Sequence, residues 1–575
     1  MDAKRKKMNT MPVSARKWTF IFLFAIAQAV IAAWPLFHSG WVATWDGYMH
    51  IQRVQAVSYA VKHGDFYPRW TTAAAAGKGS PFLNFYSPGF YLAAGYLHAM
   101  GIQLVPAVKI VCMLMLFAGW LGMFLWAKGH FDIPGALIAA TVFMFAPYHF
   151  HDLYQRGSLP ELAAVNLMPF LFYGIDLMCA QNRRYMPGII VTALATALIT
   201  LTHNLMGFMI APFAALYIGW LAFSSGAPAR VFPRAATGVA LGMGLSAFYW
   251  LPVLTEIGYL ARFKEATLDG YPYYKLFMSA AGWFKAGWTQ PPKDLFDDLQ
   301  IGYALLGFDA LAIAALFAVP RQKRGFGLIV PLLGILALFM TIPLSGFLYK
   351  YLTPLQYVLF PWSYMGIATL FFSVLAGYSA SLIPAGRMRF GPAALVCIAL
   401  ALCVFVSSPQ RTAYGRLAIK DDIPNIMGIA PTDEFRPRWE TMPVTAKRYD
   451  FLYTTGSSTN IKEASANGTE IRVLADAAGP ANLIITQFYF PGWRLRIDGR
   501  GLPVSTTPEG FITFGIPPGL HLITLWFGTT WPRVTGWVIS VVASLAILVG
   551  TLKKAGLLKA LLKNHYEKMH DAAAR

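Results

Sequence analysis

The chain has 575 residues, of which 56% are hydrophobic and only 13% are charged, and its formal net charge is +20. This charged share is about half of what a soluble domain carries, so the composition excludes an ordinary soluble protein and favours a polytopic α-helical membrane protein. Much of the basic charge lies in short segments between apolar runs, where it fixes orientation, so it does not indicate nucleic-acid binding.

Residues 1–17 are basic, and Trp18–Phe37 follows as an apolar run long enough to cross a membrane. Because no small-residue cleavage site follows, we expect a retained anchor with a cytoplasmic start. The outer loop 38–105 comes next. Its apolar stretch Pro81–Met100 is expected to lie on the membrane or dip into it, since a crossing there would put the later basic loops outside.

The transmembrane region, 18–408, is predicted to have further outer loops at 148–161, 255–298 and 344–357. With the last span, the prediction is about twelve helices in a bacterial inner membrane, with both termini cytoplasmic. The spans after the first are predicted at Pro106–Ala127, Ile133–Tyr148, Glu161–Cys179, Pro187–Thr202, Leu205–Phe223, Ala235–Leu254, Leu299–Val319, Gly327–Pro343, Val358–Ile383, Gly391–Ser407 and Val534–Leu552.

Residues 409–531 differ from the rest, because strand-like runs alternate there with Pro and Gly turns. They predict a C-terminal extracytoplasmic β-sandwich. After the final span, 532–552, the tail 553–575 is predicted to be a basic amphipathic helix on the inner leaflet, with a solvated tail as the alternative. The strand-like runs are Glu470–Leu474, Asn482–Phe490, Trp493–Ile497, Phe511–Ile516 and His521–Phe527.

Asp46 opens the first outer loop, and His50 and Arg53 follow four and seven residues later. On a helix that begins at Gly47, these spacings put the three groups on one face. An acid, an imidazole and a guanidinium at the membrane surface could deprotonate an acceptor and neutralise a phosphate. The alternative is that Asp46 only caps the helix. The opposite face is expected to lie on the bilayer and carries Ile51, Val54, Val57 and Val61.

The second polar connection, Pro147–Glu161, favours a phosphate clamp at Arg156, with Asp152 or Glu161 binding a metal or orienting the acceptor. A simple Asp152–Arg156 helical salt bridge is the alternative. His149, His151 and Asp152 could ligate a metal only from an irregular loop, because residues two apart diverge on a helix.

His203 lies at another outer span end, where we favour an interfacial pair with Asn204 over a ligand contact. We expect the two acidic, arginine-bearing connections, those of Asp46 and Arg156, to converge at the outer rim of the bilayer.

Five motifs stand out: Trp45-Asp46-Gly47 with His50 and Arg53; Tyr154-Gln155-Arg156-Gly157-Ser158-Leu159-Pro160-Glu161; Leu355-Gln356-Tyr357-Val358-Leu359-Phe360-Pro361-Trp362; Asp433-Glu434-Phe435-Arg436-Pro437; and Phe490-Pro491-Gly492-Trp493 with Asp498-Gly499. The expected layout, with a single-span start, an acidic first outer loop, a second outer loop with arginine and acids, and a C-terminal outer β-domain, resembles the GT-C class of membrane glycosyltransferases. The motifs resemble, more narrowly, the bacterial membrane family labelled 6-pyruvoyl-tetrahydropterin synthase-related, with its YfhO-like relatives. They span almost the whole chain. The family label does not imply pterin chemistry, since the sequence offers no set of zinc histidines for it.

The resemblance implies transfer of a sugar from a polyprenyl-phosphate donor to a cell-envelope acceptor on the outer face of the inner membrane. It implies catalytic roles for Asp46, Asp152 and Glu161. Relatives are expected to have an arginine where this chain has Ser363. The residues expected on the donor phosphate are Arg156, Arg53, Arg69 and Lys350. Those expected to contact the acceptor or to orient it are His50, His151, His203 and Glu434.

The resemblance leaves open a divalent metal, Mg or Mn, and the oligomeric state. Two other functions stay open. A transporter or flippase of lipid-linked sugar would need ionisable groups deep in the spans, where the sequence has few. A non-catalytic scaffold for envelope assembly would use the β-domain as its docking surface.

Overall fold

The computed structural model describes residues 15–72, 74–179, 185–261, 272–284, 325–381, 435–441, 451–467 and 469–554, with isolated residues between them. The α-helices, numbered α1 to α17, are Ala15–Ala32, Gly47–Lys62, Ala74–Gly77, Phe82–Phe85, Gly89–Ala99, Leu104–His130, Ile133–Met144, Pro147–Phe150, Leu159–Met178, Tyr185–Thr202, Asn204–Ser224, Pro228–Leu245, Ala247–Glu256, Gly325–Phe339, Gly346–Tyr351, Tyr364–Ser381 and Trp531–Lys554. A π-helical segment, His151–Arg156, follows α8. Short 3-10 helices are Trp34–Phe37, Ile257–Tyr259, Tyr273–Lys275, Ala280–Phe284, Pro343–Ser345, Thr353–Tyr357 and Pro361–Ser363.

The described part of the chain has seven helical stretches long and apolar enough to cross a membrane, or up to nine if each of two bent helix pairs counts as one span. The chain is therefore a helical membrane protein, as its composition predicted. The predicted count of twelve spans is not confirmed. Two of the predicted spans, Leu299–Val319 and Gly391–Ser407, lie outside the described residues apart from isolated positions. The tail 555–575 also lies outside them.

The stretch Pro81–Met100 forms two helices, α4 and α5, of four and eleven residues. A helix needs about 20 residues to cross the hydrocarbon core, so neither helix is long enough. Both belong to the segment between α1 and α6 that carries Asp46.

One expectation for α2 is wrong, because its apolar face does not lie on the bilayer. Ile51, Val54 and Val57 are each 0% exposed, since α2 packs against α5. The large hydrophobic side chains that α2 exposes are Tyr48 and Tyr59. The apolar face of α2, which the sequence pattern assigned to lipid, therefore packs against α5.

The C-terminal region forms two antiparallel sheets, and all five predicted strand runs are confirmed. Strands β1 to β11 are Trp41–Val42, Arg416–Leu417, Leu452–Gly456, Thr459–Asn467, Glu470–Ala477, Ala481–Phe488, Trp493–Ile497, Arg500–Leu502, Ser505–Thr506, Phe511–Ile516 and Gly519–Phe527. One sheet has the order β3-β6-β10-β9, and the other has the order β4-β5-β11-β7-β8. In β7, Trp493, Leu495 and Ile497 are buried and the arginines between them are exposed, which is the period of two that one buried sheet face requires. The packing of the two sheets into a sandwich stays a prediction.

This β-region is docked onto the segment that follows α2. The Trp70 Nε1 group donates to Gln487 Oε1 at 3.0 Å, and Gln487 Nε2 donates to the Gly77 carbonyl. The backbone N–H of Phe488 donates to the Lys78 carbonyl at 2.7 Å. The segment that carries Asp46 is therefore hydrogen-bonded to the β-region.

A buried ion pair connects α13 with the start of the last helix, α17. Arg533 and Glu256 have side chains that are each 1% exposed, and Arg533 Nη2 lies 2.9 Å from Glu256 Oε2. The same guanidinium donates to the carbonyls of Pro491 and Gly528, at 3.0 and 3.2 Å, in the β-region. A buried charge is costly unless it is paired and hydrogen-bonded, and Glu256 and the two carbonyls meet this need for Arg533. Through these contacts, Arg533 joins the last helix to the β-region.

Candidate functional site

The Asp46 and Arg156 connections converge, as expected, and their place at the outer rim of the bilayer stays a prediction. The backbone N–H of Asp46 donates to the Arg156 carbonyl at 2.7 Å, and that of Trp45 donates to the Gln155 carbonyl at 3.1 Å. Two neighbouring backbone hydrogen bonds therefore hold the Asp46 segment against the end of the π-helical segment.

Gly157 makes this close approach possible. Its φ of 76° lies in the left-handed region, and a Cβ atom at this position would lie 2.7 Å from the backbone nitrogen of Gly47 and nearer still to Thr44 Oγ1. Real Cβ atoms do not come so close to backbone, so only glycine fits here without displacing the Asp46 segment.

The connection between the spans is much shorter than the predicted loop 148–161. Helix α8 and the π-helical segment continue α7 as far as Arg156, and α9 begins at Leu159. Segments of π-helix are rare and occur frequently at functional sites. Here the segment places Asp152 and Arg156 one turn apart, at the end of a candidate span.

Arg156 lies among three carboxylates. Its Nε is 3.6 Å from Asp46 Oδ2, and its Nη1 is 3.8 Å from Asp152 Oδ1 and in hydrogen-bond contact with Glu161 Oε2. The other oxygen of Glu161 accepts from the Tyr148 hydroxyl. The Asp152–Arg156 salt bridge proposed as the simpler alternative is present, but as one arm of a larger cluster.

Two aromatic rings of the Phe360-Pro361-Trp362 motif contact the Arg156 guanidinium. Its Cζ lies 4.9 Å from the centroid of the Phe360 ring and 4.7 Å from that of Trp362. Such cation–π contacts stabilise the guanidinium by roughly 0.5–2 kcal/mol each. The motif, about 200 residues further along the chain, therefore helps to hold the Arg156 side chain in place.

The three carboxylates differ in accessibility. The Asp46 side chain is 39% exposed, but those of Asp152 and Glu161 are each 1% exposed. Among the described residues, neither oxygen of Asp152 has a hydrogen-bond partner. Of the three, only Asp46 can therefore meet a substrate from solvent without a rearrangement.

Asp46 does not act as a helix cap through its side chain. It occupies the N-cap position of α2 but makes no side-chain cap hydrogen bond. Thr44 Oγ1 accepts from the Gly47 N–H at 3.1 Å instead. Partial burial raises the pKa of Asp46, and the positive charges of Arg156 and Arg53 act against that increase. A carboxylate with a raised pKa is a better proton acceptor than an ordinary aspartate.

His50 and Arg53, which their spacing placed on one helix face, share one hydrogen-bond partner. His50 Nδ1 is 2.7 Å from the Tyr91 hydroxyl, and Arg53 Nη1 donates to the same oxygen at 3.2 Å. The Arg53 guanidinium also lies 4.3 Å from the centroid of the Tyr86 ring. Burial, with Arg53 nearby, lowers the pKa of His50 well below its usual range, so its imidazole is neutral at pH 7.

The other predicted histidines are buried around the cluster. His151 Nδ1 is 2.8 Å from Gln155 Oε1, and the His203 Nδ1 accepts from the Met206 N–H at 3.1 Å as the cap of α11. Burial lowers the pKa of His203 to about 4, and the charge of Glu161 partly opposes this shift. Within the described ranges, no group of three or more His, Cys, Asp or Glu residues is arranged to hold a metal ion.

Three further predicted residues lie apart from the Arg156 cluster or outside the described residues. Arg69 donates to Asn84 Oδ1 at 2.8 Å and to the Phe248 carbonyl at 2.6 Å, and Asn84 donates on to Glu256 at 2.8 Å. Arg69 thus belongs to the network of the Glu256–Arg533 ion pair. Lys350 is exposed, 5.6 Å from the centroid of the Tyr351 ring. Glu434 lies outside the described residues.

Ser363, where relatives are expected to have arginine, is 5% exposed next to Trp362.

Sequence reasoning did not assign Tyr148, Tyr91, Phe360 or Trp362 to the site. Phe360 and Trp362 belong to a quoted motif, and that was the one available signal. Aromatic residues make up 15% of this chain, so another tyrosine or tryptophan carries little information by itself.

Residues 83–413 match the family described as the 6-pyruvoyl-tetrahydropterin synthase related domain, a family of membrane proteins. No curated protein matches the sequence.

Three solved structures are similar to this one. The arabinofuranosyltransferase AftD from Mycobacteria is 14% identical, with a TM-score of 0.44, over 69% of this chain and 27% of its own. ArnT from Cupriavidus metallidurans, bound to undecaprenyl phosphate, is 12% identical, with a TM-score of 0.39, over 68% of this chain and 64% of its own. The Archaeoglobus fulgidus oligosaccharyltransferase in the apo form is 14% identical, with a TM-score of 0.39, over 74% of this chain and 61% of its own. The matched region thus covers less than two thirds of each of these proteins.

Proposed function

This chain belongs to the 6-pyruvoyl-tetrahydropterin synthase-related family of membrane proteins, as its motifs predicted, and from the geometry around Asp46 we propose that it is a membrane glycosyltransferase. It takes a sugar from a polyprenyl-phosphate donor and transfers it to a cell-envelope acceptor on the outer face of the inner membrane.

The observation that carries the proposal is the single accessible carboxylate of the cluster. Asp46 is 39% exposed, and its Oδ2 is 3.6 Å from Arg156 Nε. Glycosyl transfer to a hydroxyl needs a base within hydrogen-bond reach of that hydroxyl. We assign this role to Asp46, because Asp152 and Glu161 are buried and a substrate could not reach them.

Arg156 acts on Asp46 in this proposal, with no direct contact to the donor phosphate. Its guanidinium already has three carboxylate neighbours, so it has no unopposed charge to offer a phosphate. By attracting Asp46 Oδ2 and accepting the Asp46 N–H through its own carbonyl, it keeps the base ionised and oriented. Asp152 and Glu161 hold Arg156 in place from the buried side.

The position of the cluster fits a lipid-linked donor. Arg156 ends one candidate span, Ile133–Arg156, and Leu159–Met178 begins the next. Groups at this level meet the headgroup region of the bilayer, where the phosphate of a polyprenyl lipid lies. We derive no step through a metal ion, since no described group of residues is arranged to hold one.

The proposal is tested on full-length protein in nanodiscs, supplied with a panel of polyprenyl-phosphate sugars and an envelope extract as the acceptor source. Mass spectrometry follows the release of polyprenyl phosphate. We expect release by the wild type with at least one donor, and its loss in Asp46→Asn with an unchanged apparent Tm. Wild-type release by Asp46→Asn would refute the base assignment. If the wild type releases nothing and instead moves a lipid-linked sugar across liposomes, the flippase alternative holds.

A further inference from the structure

Arg438 is an exposed arginine whose guanidinium is held over two aromatic rings. Its Cζ lies 4.5 Å from the centroid of the Trp439 ring and 5.1 Å from that of the Tyr259 ring. Its backbone N–H donates to the Tyr259 carbonyl at 2.9 Å. Both the main chain and the head group of this arginine are therefore fixed, although its side chain faces solvent.

The backbone around Arg438 is paired with the end of a membrane helix. Pro437 forms an antiparallel bridge with Leu260, and the Ala261 N–H donates to the Arg436 carbonyl at 2.8 Å. Tyr259 is the last residue of the bent candidate span formed by Pro228–Leu245 and Ala247–Tyr259. Arg438 therefore lies at a span end, which is the level of lipid phosphates.

Arg438 and the Arg156 cluster lie at the same side of the membrane when the bent pair that ends at Tyr259 is counted as one span. Successive spans run in opposite directions, and by this count the stretches that end at Arg156 and Tyr259 run in the same direction. Ring contacts also lead from the Arg438 segment to the site: the Phe435 and Tyr86 centroids are 6.2 Å apart, and Tyr86 lies 4.3 Å from the Arg53 guanidinium.

The other described arginines near the site are buried or already paired with carboxylates. Arg156 has three carboxylate neighbours, and Arg53 and Arg69 are 3% and 7% exposed. Arg533 is held by Glu256. Among the described residues, no carboxylate lies within ion-pair distance of Arg438, so none of these residues neutralises its charge.

We propose that Arg438 binds the phosphate of a lipid phosphate monoester, such as the donor lipid of the proposed transfer, on which this inference rests. A planar guanidinium donates two parallel hydrogen bonds to phosphate oxygens, and it is less strongly hydrated than an ammonium group. A phosphate monoester carries a charge of about −1.5 to −2 at pH 7, which a fixed cation attracts more strongly than the single charge of a diester. Tyr259 and Trp439 present apolar surface at the same place, against which the first carbons of the lipid chain pack.

The test uses full-length protein in nanodiscs of neutral phosphatidylcholine. Binding of farnesyl phosphate, farnesol and inorganic phosphate is measured by isothermal titration calorimetry for the wild type, Arg438→Gln, Arg438→Lys and the control Arg500→Gln. Arg500 is an exposed arginine of the same region, on β8. We expect Arg438→Gln to raise the Kd for farnesyl phosphate about tenfold, which corresponds to the loss of one charge-assisted hydrogen bond. Arg438→Lys should give an intermediate Kd, because it keeps the charge but loses the paired donors. Arg500→Gln should bind like the wild type.

Several results would overturn the inference. They are an unchanged Kd in Arg438→Gln, equal weakening in Arg500→Gln, or equal weakening for farnesol, which lacks the phosphate. Inorganic phosphate that binds as tightly as farnesyl phosphate would show that the residue recognises a free anion. In a further arm, phosphatidylglycerol retained by the purified protein is counted by native mass spectrometry. If the purified Arg438→Gln variant retains less phosphatidylglycerol but binds farnesyl phosphate as the wild type does, Arg438 contacts anionic lipid in general and does not recognise a phosphate monoester.

The design separates this inference from the proposed function. Weaker farnesyl phosphate binding in Arg438→Gln, with no sugar transfer by the wild type, would support the phosphate site and reject the glycosyltransferase. Sugar transfer by the wild type with unchanged phosphate binding in Arg438→Gln would do the reverse. The apparent Tm of each variant checks that it is folded, and Arg438→Lys provides a second test if the Gln variant is not.

Discussion

Asp46 and Arg156 contact each other twice, through the backbone and through the side chains. The Asp46 N–H donates to the Arg156 carbonyl at 2.7 Å, and Asp46 Oδ2 lies 3.6 Å from Arg156 Nε. The backbone bond fixes the distance between the two residues, and the charge interaction acts on the ionisation of the carboxylate. The position and the protonation of Asp46 therefore both depend on Arg156. A substitution of Arg156 changes the charge interaction and leaves the backbone hydrogen bond available, so the two effects can be separated.

The first prediction concerns pH. Burial raises the pKa of Asp46 above the ordinary 3.8, and Arg156 lowers it. Since a general base works only when ionised, transfer should be lost as pH falls through this pKa. Arg156→Gln removes a charge that favours the ionised form, so the acid limb of the activity profile should move to higher pH. Arg156→Lys keeps a positive charge and should move it less. Equal acid limbs in the two variants would contradict this account.

The second prediction separates stability from activity within the cluster. Glu161 is 1% exposed and Asp46 is 39% exposed. Removing one partner of a buried ion pair costs about 3–5 kcal/mol, but removing an exposed partner costs roughly 0–1 kcal/mol. Glu161→Gln should therefore lower the apparent Tm in detergent clearly, whereas Asp46→Asn should not. Both variants should lose transfer. A fall in Tm for Asp46→Asn as large as for Glu161→Gln would show that Asp46 is mainly structural.

The third prediction tests the glycine at the junction. Gly157→Ala should destabilise by ~1–2 kcal/mol from its positive φ and by a further ~1–3 kcal/mol from overpacking against Thr44 and Gly47. Gly226 is the matched control, because its φ is 64° and nothing lies within 4 Å of an added Cβ. Gly226→Ala should show only the first cost. Thermal unfolding in micelles measures both variants, and equal Tm values would mean that the close approach at Gly157 does not constrain the fold.

The fourth prediction concerns the ion pair that joins the last helix to the β-region. Glu256→Gln should destabilise by about 3–5 kcal/mol, because Arg533 would stay buried without its carboxylate. The matched control is Asp476→Asn, since the Lys462–Asp476 pair has side chains that are 42% and 44% exposed. That change should cost roughly 0–1 kcal/mol. Limited proteolysis should cut the β-region faster in Glu256→Gln only. Equal cleavage of the two variants would exclude the ion pair as the connection.

Much of this architecture could be predicted because the membrane imposes simple rules. Four of the five spans predicted between Pro106 and Phe223 agree with the structure within a few residues, since long apolar runs and basic loops mark them. The remaining one was predicted to end at Tyr148 and extends to Arg156. The strands of the C-terminal region were predicted correctly because their signals, the alternation of apolar and polar residues and the Pro and Gly turns, lie within short stretches of sequence. The shared face of His50 and Arg53 followed from spacing alone, and both contact Tyr91.

What sequence reasoning missed depends on tertiary packing. The face of Ile51, Val54 and Val57 is amphipathic in pattern, but nothing local says whether lipid or α5 covers it. The predicted outer loop 148–161 is mostly helical, since α8 and the π-helical segment extend as far as Arg156 and α9 begins at Leu159. Buried backbone needs internal hydrogen-bond partners, which a helix supplies. Arg69 looked like a phosphate ligand until its partners Asn84 and Phe248 were known. A basic residue in a polar loop carries the same local signal whether it binds a ligand or a neighbour.

The pairing of β1 with β2 has a consequence for biosynthesis. Val42 aligns with Arg416, so the strand just before Asp46 has its partner almost the full length of the membrane region away. At ordinary elongation rates, a ribosome needs roughly 20–75 s to travel from one strand to the other. During that interval the spans already synthesised can insert into the bilayer, but β1, just before Asp46, still lacks its partner strand β2. Truncated translation products that stop before residue 416 should therefore insert normally and remain inert.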